Sequence, residues 1–373
     1  MRRAARLKKS PHRSEVVGTS TFRIVPAWSG PPGPDEGDVN VCAVREWTRP
    51  DQWGRTTCVT VIVALMEIAN RDFYNADAMI ESPSTSPPFV SALAIIGVGL
   101  LGGSIATAAK GRGLAGRVVG IGRDAARLEQ ARLRGLVDVA STDIAAAGEA
   151  DLVVVCTPVN RIAADVRKVA AVCRPGTLIT DVGSVKGSIC RELASGLPAG
   201  IEFVGSHPLA GSEKSGFEAT DPNLLEGRVC IVTIDESASV AARVRLREFW
   251  SRLGARVIEM SPEAHDHVLA ETSHLPHLAA AVLASTLQDE HRPLAATGFR
   301  DSTRIAAGDA NLWAAIFMAN AEEVEQALER YEKVWREFRQ ALKSRDAAAL
   351  RDLLAKARDS RLKLDQRGTR GEG

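Results

Sequence analysis

Residues 94–104 read Ala94-Ile95-Ile96-Gly97-Val98-Gly99-Leu100-Leu101-Gly102-Gly103-Ser104, and this stretch decides the fold. An apolar run typical of a buried strand meets glycines spaced G-x-G-x-x-G, and an alanine-rich segment follows. In such a loop the glycines permit a tight turn, close approach of a pyrophosphate and close packing of helix on strand. The phosphate lies where free N–H groups and the positive end of the helix dipole converge. A glycine-rich turn of another α/β protein is the alternative. The residues expected to hold a dinucleotide are Gly97, Gly99, Leu100, Leu101 and Gly102.

Composition excludes several classes of protein. The 373 residues carry 47 basic and 46 acidic side chains, a net charge of +1, so no overall field attracts nucleic acid or a membrane surface. No apolar run reaches the roughly 18 residues that a membrane-spanning helix needs. Six cysteines without C-x-x-C spacing argue against a zinc ribbon or a disulfide framework and suit a reducing cytosol. We therefore expect a cytoplasmic protein without nucleic-acid or membrane partners.

Residues 1–90 differ from the rest of the chain. They hold nine of the 17 prolines and show no sustained helix or strand periodicity, so we expect a mostly disordered extension. Only residues 57–68 have the character of a short strand or helix. The basic start is compatible with a targeting peptide, a solvated tail or a wrongly assigned start, in which case Met79 is a natural first residue.

Residues 91–260 alternate apolar runs with helical stretches, which predicts a doubly wound, Rossmann-type parallel sheet. Helices are expected near residues 104–112, 124–134 and 160–172. Ligands of such sheets bind at the carboxyl ends of the strands, where Thr157, Pro158 and Asp181 join the expected cofactor site. The strand candidates are residues 93–96, 117–121, 152–156, 177–180, 203–205 and 229–233.

A helical domain is predicted after Ser261 and Pro262, which read as a helix start. It extends to about residue 360, and residues 361–373 are expected to form a flexible tail. Large apolar residues recur at every third or fourth position and form one broad stripe, which requires another surface to pack against. Its members are Val324, Leu328, Tyr331, Trp335, Phe338 and Leu342.

Gly122 and Arg123 bear on the choice of cofactor. Gly122 stands where an NAD enzyme usually places an acidic residue against the ribose 2′-hydroxyl. Without that carboxylate a 2′-phosphate is not repelled, and the Arg123 guanidinium can pair with it. This favours NADP, or use of both cofactors, over strict use of NAD. Alternatively, Arg123 is a surface residue and Asp124 takes the role of the acid.

Four further motifs follow in order: Asp181-Val182-Gly183-Ser184-Val185-Lys186, Gly205-Ser206-His207-Pro208-Leu209-Ala210-Gly211-Ser212-Glu213, Ser273-His274-Leu275-Pro276-His277 and Phe299-Arg300-Asp301-Ser302-Thr303-Arg304-Ile305-Ala306. With the glycine loop they resemble the prephenate/arogenate dehydrogenase family of tyrosine biosynthesis. The resemblance covers residues 93–345. It implies NAD(P)-dependent oxidative decarboxylation, in which hydride leaves ring carbon C4 and the ring carboxylate departs as CO2. It also implies a homodimer formed through the helical domain.

This reaction requires a base for the hydroxyl proton, and imidazole titrates near the working pH. His207, placed at the end of a predicted strand, is the expected base. Ser184 is expected to hydrogen-bond the same hydroxyl and His207. Its alternative role is to cap the following helix, with Lys186 solvated.

The resemblance also implies the substrate contacts. A bidentate guanidinium suits a carboxylate, and Arg304 is the expected clamp, with Arg300 and Arg292 as weaker candidates. His274 and His277 share a helix face at the substrate pocket. Glu213 is expected at the pocket mouth, or else as a solvated loop residue. Trp313 is expected to reach the neighbouring subunit's active site, or else to be a core aromatic residue.

Other readings of the sequence remain open at this stage. Five of the seven histidines lie between His265 and His291, but no His-Glu-x-x-His arrangement occurs and hydride transfer needs no metal, so we expect none. His265 and His267 are expected to be polar residues of a helix face. A hydroxyacid dehydrogenase is a second enzyme reading, although its usual catalytic lysine is missing from the His-Leu-Pro-His segment. A cofactor-sensing protein without activity is a third.

Overall fold

The computed structural model describes residues 43–50, 56–63, 87–210, 216–235 and 237–368. The chain forms two units, Met1–Ser84 and Thr85–Gly373. In the first unit β1 (Ala43–Pro50) and β2 (Thr56–Val63) pair antiparallel. The sequence suggested an ordered segment over part of β2 and did not suggest β1. The other predicted features of residues 1–86, including Met79, lie outside the described residues.

The second unit contains a six-stranded sheet in which every neighbouring pair is parallel. The strand order is β5-β4-β3-β6-β7-β8, so the connections reverse direction between β3 and β6. This reversal opens a crevice at the carboxyl ends of those strands, where ligands of doubly wound sheets bind. The predicted fold class is thereby confirmed. The strands are β3 (Val90–Ile96), β4 (Ala115–Ile121), β5 (Val139–Ser141), β6 (Leu152–Val155), β7 (Leu178–Asp181) and β8 (Glu202–Phe203).

Helices cover both faces of this sheet. Because side chains alternate along a strand, Leu93 and Ile95 pack into one apolar cluster while Ala94 and Ile96 pack into the other. The helices α1 and α5 contribute to the first cluster, and α3 and α4 to the second. Their bounds, with that of α2, are α1 (Leu100–Gly111), α2 (Ala125–Leu133), α3 (Ile162–Ala170), α4 (Gly187–Leu193) and α5 (Val240–Arg252).

A separate three-stranded sheet carries the His207 segment. It consists of β9 (Ser206–Pro208), β10 (Val229–Thr233) and β11 (Arg256–Met260). The strand β10 runs antiparallel to β9 and parallel to β11. Two predictions are therefore corrected: residues 229–233 do not extend the parallel sheet, and His207 lies within a strand rather than at a strand end. The pairing of His207 with Ile231 is long-range, and no local pattern encodes it.

The helical part begins as predicted. Ser261 is the N-cap of α6 (Pro262–Leu269), and its Oγ accepts the N–H of Ala264 at 3.1 Å. A π-helical turn (Ala270–His274) joins α6 to α7 (Leu275–Ser285). The remaining helices are α8 (Thr297–Thr303), α9 (Ala310–Ala319), α10 (Ala321–Lys343) and α11 (Ala347–Gly368).

The end of the described chain differs from the prediction. We expected a flexible tail from residue 361, but α11 continues to Gly368 because residues 361–367 contain good helix formers and neither glycine nor proline. On α10, Tyr331, Trp335 and Leu342 of the predicted apolar stripe are exposed. Within the described ranges no helix is long and apolar enough to cross a membrane.

Candidate active site

The glycine loop has the geometry that its spacing predicts. Gly97 has a φ of 97°, in the left-handed region, and a Cβ there would lie 3.0 Å from the carbonyl oxygen of Cys156. A Cβ on Gly102 would lie 2.2 Å from the carbonyl oxygen of Gly97, so the packing of α1 on β3 requires glycine. A Cβ on Gly99 would meet no protein atom within 4 Å. The space above Gly99 is therefore left open for a ligand.

The loop lines a crevice of about 440 Å³ at the carboxyl ends of β3, β4 and β6. Gly99 is the N-cap of α1 and supplies no side-chain cap, so the N–H groups of Leu100, Leu101 and Gly102 are oriented for an anion. Thr157 and Pro158 form part of the opposite wall. The Oγ1 of Thr157 is buried without a hydrogen-bond partner among the described residues. These features fit a dinucleotide whose pyrophosphate lies over Gly99.

The far end of the crevice is basic. Gly122 and the exposed Arg123 line it together with Asp124 and Arg127. The carboxylate of Asp124 accepts the N–H of Arg127 at 3.0 Å and so caps α2. The Arg127 guanidinium forms a 3.0 Å ion pair with Glu218. Asp124 is therefore engaged in a helix cap, and Arg123 presents its charge to the crevice.

The prediction that Asp181 binds the cofactor is corrected. Asp181 is completely buried, and its carboxylate accepts the N–H groups of Gly183 at 2.8 Å and Ser206 at 3.1 Å. It also forms an ion pair with the ammonium group of Lys186, which is itself completely buried. Because these partners enclose the carboxylate, it cannot touch a ligand in the crevice. The alternative in which Lys186 is solvated is wrong for the same reason.

His207 lies in β9 with only 8% of its surface exposed. Its Nδ1 is 2.9 Å from Nε2 of His265, whose Nδ1 is 2.8 Å from Oδ1 of Asp266. Burial, the neighbouring His265 and the Lys186 charge hold the pKa of His207 well below 6.5. His207 is therefore neutral near pH 7, as a proton acceptor must be.

His265 departs from the prediction of a polar helix-face residue, because it is completely buried and contacts His207. His267, on the same helix, does lie on the exposed face, where its Nδ1 is 2.7 Å from a Glu323 carboxylate oxygen. The spacing of buried residues along α6 could have predicted that His265 is buried. His265 is four residues before the buried Leu269, which places both on one helix face.

Ser184 follows β7 and is half-buried. The N-cap of α4 is Lys186 rather than Ser184, so the alternative capping role is not what the structure has. Within the described part of the chain no hydrogen bond joins Ser184 to His207. The interaction of Ser184 with a substrate hydroxyl stays a prediction.

Three of the predicted substrate residues of the helical domain, His274, His277 and Trp313, pack together as one wall. The ring of His277 stacks on that of Trp313 with centroids 3.5 Å apart, and burial lowers the pKa of His277. Burial also lowers the pKa of His274 to about 4, and its Nδ1 is 3.1 Å from the amide nitrogen of Asn320. Trp313 packs on His277 of its own chain, and the expectation that it also reaches a neighbouring subunit's active site stays a prediction. Arg304 is exposed and begins the 3₁₀ turn that precedes Gly308.

Gly308 packs directly against the stacked rings of His277 and Trp313. A Cβ at this position would lie 2.6 Å from Nε1 of Trp313 and 3.1 Å from Cε1 of His277, so the stack leaves no room for a side chain. In the same wall, Nε2 of His274 and Nδ1 of His277 are buried without hydrogen-bond partners among the described residues. Two imidazole nitrogens are thus left for a ligand or water to satisfy.

Glu213 lies outside the described residues. In the described ranges no group of three or more His, Cys, Asp or Glu side chains is arranged to hold a metal ion.

Comparison with known proteins gives matches over both parts of the second unit. The family model described as prephenate dehydrogenase, nucleotide-binding domain, matches residues 105–259, and the model for the dimerization domain of prephenate dehydrogenase matches residues 261–356. The cyclohexadienyl dehydrogenase of Zymomonas mobilis is 35% identical over 280 residues, which cover 73% of this chain and 95% of that protein. The chain belongs to the prephenate dehydrogenase family.

Solved structures of prephenate dehydrogenase family proteins share this fold. The prephenate dehydrogenase from A. aeolicus, in complex with hydroxyphenyl propionate and NAD+, is 32% identical with a TM-score of 0.70 and covers 74% of this chain and 98% of its own. The Synechocystis arogenate dehydrogenase is 26% identical with a TM-score of 0.63, at coverages of 73% and 99%. The protein is therefore an oxidoreductase that uses a nicotinamide cofactor.

Proposed function

We propose that this protein oxidatively decarboxylates prephenate, arogenate or both, with NAD(P)+ as cofactor. The observation that carries the proposal is the buried, neutral His207, because loss of hydride from a carbon that bears a hydroxyl requires a base for the hydroxyl proton. The bound nicotinamide accepts the hydride. His207 takes the hydroxyl proton on its Nε2 as the hydride leaves, the ring carboxylate departs as CO2, and the electron pair of the broken C–C bond generates a phenolate. His207 returns its proton to this phenolate to give the phenol.

Ser184 and the aromatic wall position the substrate. We assign the half-buried Ser184 a hydrogen bond to the substrate hydroxyl, which holds the proton toward His207. The stacked His277 and Trp313 provide an apolar edge for the cyclohexadiene ring and, through the Nδ1 of His277, a polar contact. A fixed ring and a fixed hydroxyl lower the entropic part of the barrier.

Arg304 is assigned to the ring carboxylate. Removing this guanidinium in Arg304→Gln should raise KM for prephenate about 10- to 100-fold, the equivalent of one charge-assisted hydrogen bond, with a smaller effect on kcat. Arg300→Gln is the matched control, because Arg300 lies on α8 and donates to the carbonyl oxygen of Ala295 at 3.0 Å. Steady-state kinetics decide the assignment. An unchanged KM in Arg304→Gln, or a larger change in Arg300→Gln, would move the carboxylate site elsewhere.

Arg123 is assigned to the 2′-phosphate of NADP. One carboxylate oxygen of Asp124 caps α2, and the exposed Arg123 lines the same end of the crevice. In Arg123→Ala we expect KM for NADP+ to rise about 10- to 100-fold while KM for NAD+ changes about twofold or less. Arg132→Ala is the control, because Arg132 lies on the helix that follows Arg123 but pairs with Glu129 at 2.7 Å. Equal effects of Arg123→Ala on both cofactors would refute this assignment.

The helical domain is assigned to homodimer formation. Large apolar side chains on three of its helices are exposed to solvent in the single chain, and burial between two copies would remove them from water. The family model that matches residues 261–356 is described as a dimerization domain. The exposed side chains include Met318, Tyr331, Val334, Trp335, Leu342, Leu354 and Leu362.

The experiment that tests the proposed function is a steady-state assay of the full chain with prephenate and arogenate, each with NAD+ and NADP+. The ratio of the four kcat/KM values gives substrate and cofactor preference together. If no combination of substrate and cofactor yields reduced cofactor, the hypothesis of a cofactor-sensing protein without activity gains support. Turnover of small hydroxyacids alone would instead favour the hypothesis of a hydroxyacid dehydrogenase.

A further inference from the structure

Three side chains form a continuous buried row that starts at the base. His207 belongs to β9, whereas His265 and Asp266 are consecutive residues of α6. Their exposed fractions are 8%, 0% and 6%. The His207 and His265 rings are tilted by 59° with centroids 5.1 Å apart, so they meet through ring nitrogens rather than by stacking.

The hydrogen bonds of Asp266 fix the direction of this row. Its Oδ1 accepts the N–H of Lys186 at 2.7 Å, and its Oδ2 accepts the N–H of Gly187 at 2.8 Å. Main-chain N–H groups only donate, so Asp266 acts here as an acceptor on both oxygens. Nδ1 of His265, 2.8 Å from Oδ1, must therefore carry the hydrogen of that bond.

The tautomer of His207 follows from that of His265. Burial lowers the pKa of His265, against the opposing effect of Asp266, so near pH 7 its Nε2 carries a lone pair. His207 therefore donates from Nδ1 to His265 Nε2, across 2.9 Å. Its own Nε2 is left as the acceptor.

We propose that His265 and Asp266 are positioning residues that hold His207 in the tautomer and orientation required to accept the substrate hydroxyl proton. The proposal rests on the proposed function, in which His207 is the base. It adds that the helical domain sets the state of a base that belongs to the other domain. Asp266 makes this connection, because its carboxylate also holds the start of α4.

Among the residues that the structure describes, the surrounding charged groups do not supply an alternative partner for Nδ1 of His207. The Lys186 ammonium and the Asp181 carboxylate pair with each other, and His274 is engaged with Asn320. These groups and Asp266 are the charged or titratable neighbours that influence His207 and His265. Among the described residues, Asp266 is the carboxylate that hydrogen-bonds His265, so its removal should be felt at His207.

Asp266→Asn tests the proposal. The single amide oxygen of Asn cannot replace both carboxylate oxygens, so Nδ1–H of His265 and the N–H groups of Lys186 and Gly187 compete for one acceptor. The tautomer of His265, and through it that of His207, is then no longer fixed. A similar asparagine change beside a catalytic histidine costs about 10⁴ in kcat, so we expect a loss of roughly 10²–10⁴ with little change in KM. The acidic limb of the kcat/KM profile should also move to lower pH, because the carboxylate no longer stabilises the imidazolium form. If Asp266→Asn changed neither kcat nor the acidic limb of the pH profile of kcat/KM, the proposal would be overturned.

A second pair of variants keeps the test decisive if Asp266→Asn folds poorly. His265→Gln retains an acceptor for His207 Nδ1, and His265→Leu does not. We expect the Gln variant to keep about tenfold more kcat than the Leu variant, equivalent to one hydrogen bond. Equal kcat values in the two variants would contradict the proposal. His267→Leu, on the exposed face of the same helix, should retain wild-type kcat.

The failure of this inference is distinguishable from failure of the proposed function. A wild-type enzyme without turnover on either substrate would refute the proposed function. A wild-type enzyme that turns over, with His265→Leu and Asp266→Asn equally active, would refute the positioning role alone.

Discussion

His207→Asn is expected to lower kcat by roughly 10²–10⁴, the usual contribution of a positioned base, while Kd for the cofactor stays unchanged. The Asn side chain still forms hydrogen bonds, but its amide cannot accept the hydroxyl proton. Steady-state kinetics on the better substrate give kcat, and a fluorescence titration gives the cofactor Kd. His291→Asn is a suitable control, because His291 is exposed and far along the chain from the row.

The pH profile adds a second readout for the same residue. Because the pKa of His207 lies well below 6.5, the wild-type kcat/KM should stay level from neutral pH down past 6.5 and fall only at lower pH. In His207→Asn the residual activity should lose this acidic limb. If His207→Asn kept both its kcat and the limb, another group would be the base.

Lys186→Met should produce the largest loss of stability. The change leaves the Asp181 carboxylate buried and without its counter-ion, and breaking a buried pair in this way costs about 3–5 kcal/mol of the free energy of unfolding. Urea denaturation followed by circular dichroism measures the loss, provided that the slope with denaturant stays constant. Arg247→Met is the control, because its 3.6 Å pair with Glu259 is partly exposed, and we expect a change below about 1 kcal/mol.

The double variant Lys186→Met/Asp181→Asn separates charge from packing. Gly183 and Ser206 donate to different oxygens of Asp181, so the amide oxygen of Asp181→Asn keeps one of the two acceptors, and no charge is left buried. We therefore expect the double variant to be more stable than Lys186→Met alone. Additive losses would show that the pair contributes through packing only.

The parallel sheet and the glycine loop could be predicted because their signals are local. Strands buried on both faces are continuous apolar runs, as in Leu152–Val155. Gly102 is required by a contact within the loop itself, because a Cβ there would lie 2.2 Å from the carbonyl oxygen of Gly97. The start of the helical domain at Ser261 and Pro262 is equally local, because a cap is formed by its own first turn.

The base and its surroundings were predicted only in part because they depend on long-range contacts. His207 could be identified as the candidate base, but its antiparallel strand pairs with β10 and its partner His265 lies on α6. Nothing in the local sequence separates the buried Lys186 from a solvated lysine. Its burial follows from the position of Asp181 at the end of the neighbouring strand.

The central claim is oxidative decarboxylation, and the stoichiometry of products tests it most directly. The wild-type protein is incubated with prephenate or arogenate and NAD(P)+, and released CO2 and reduced cofactor are measured in the same sample. The mechanism built on His207 predicts equal amounts of the two and formation of a phenol. Reduced cofactor without CO2 would contradict it, and so would CO2 released without reduced cofactor.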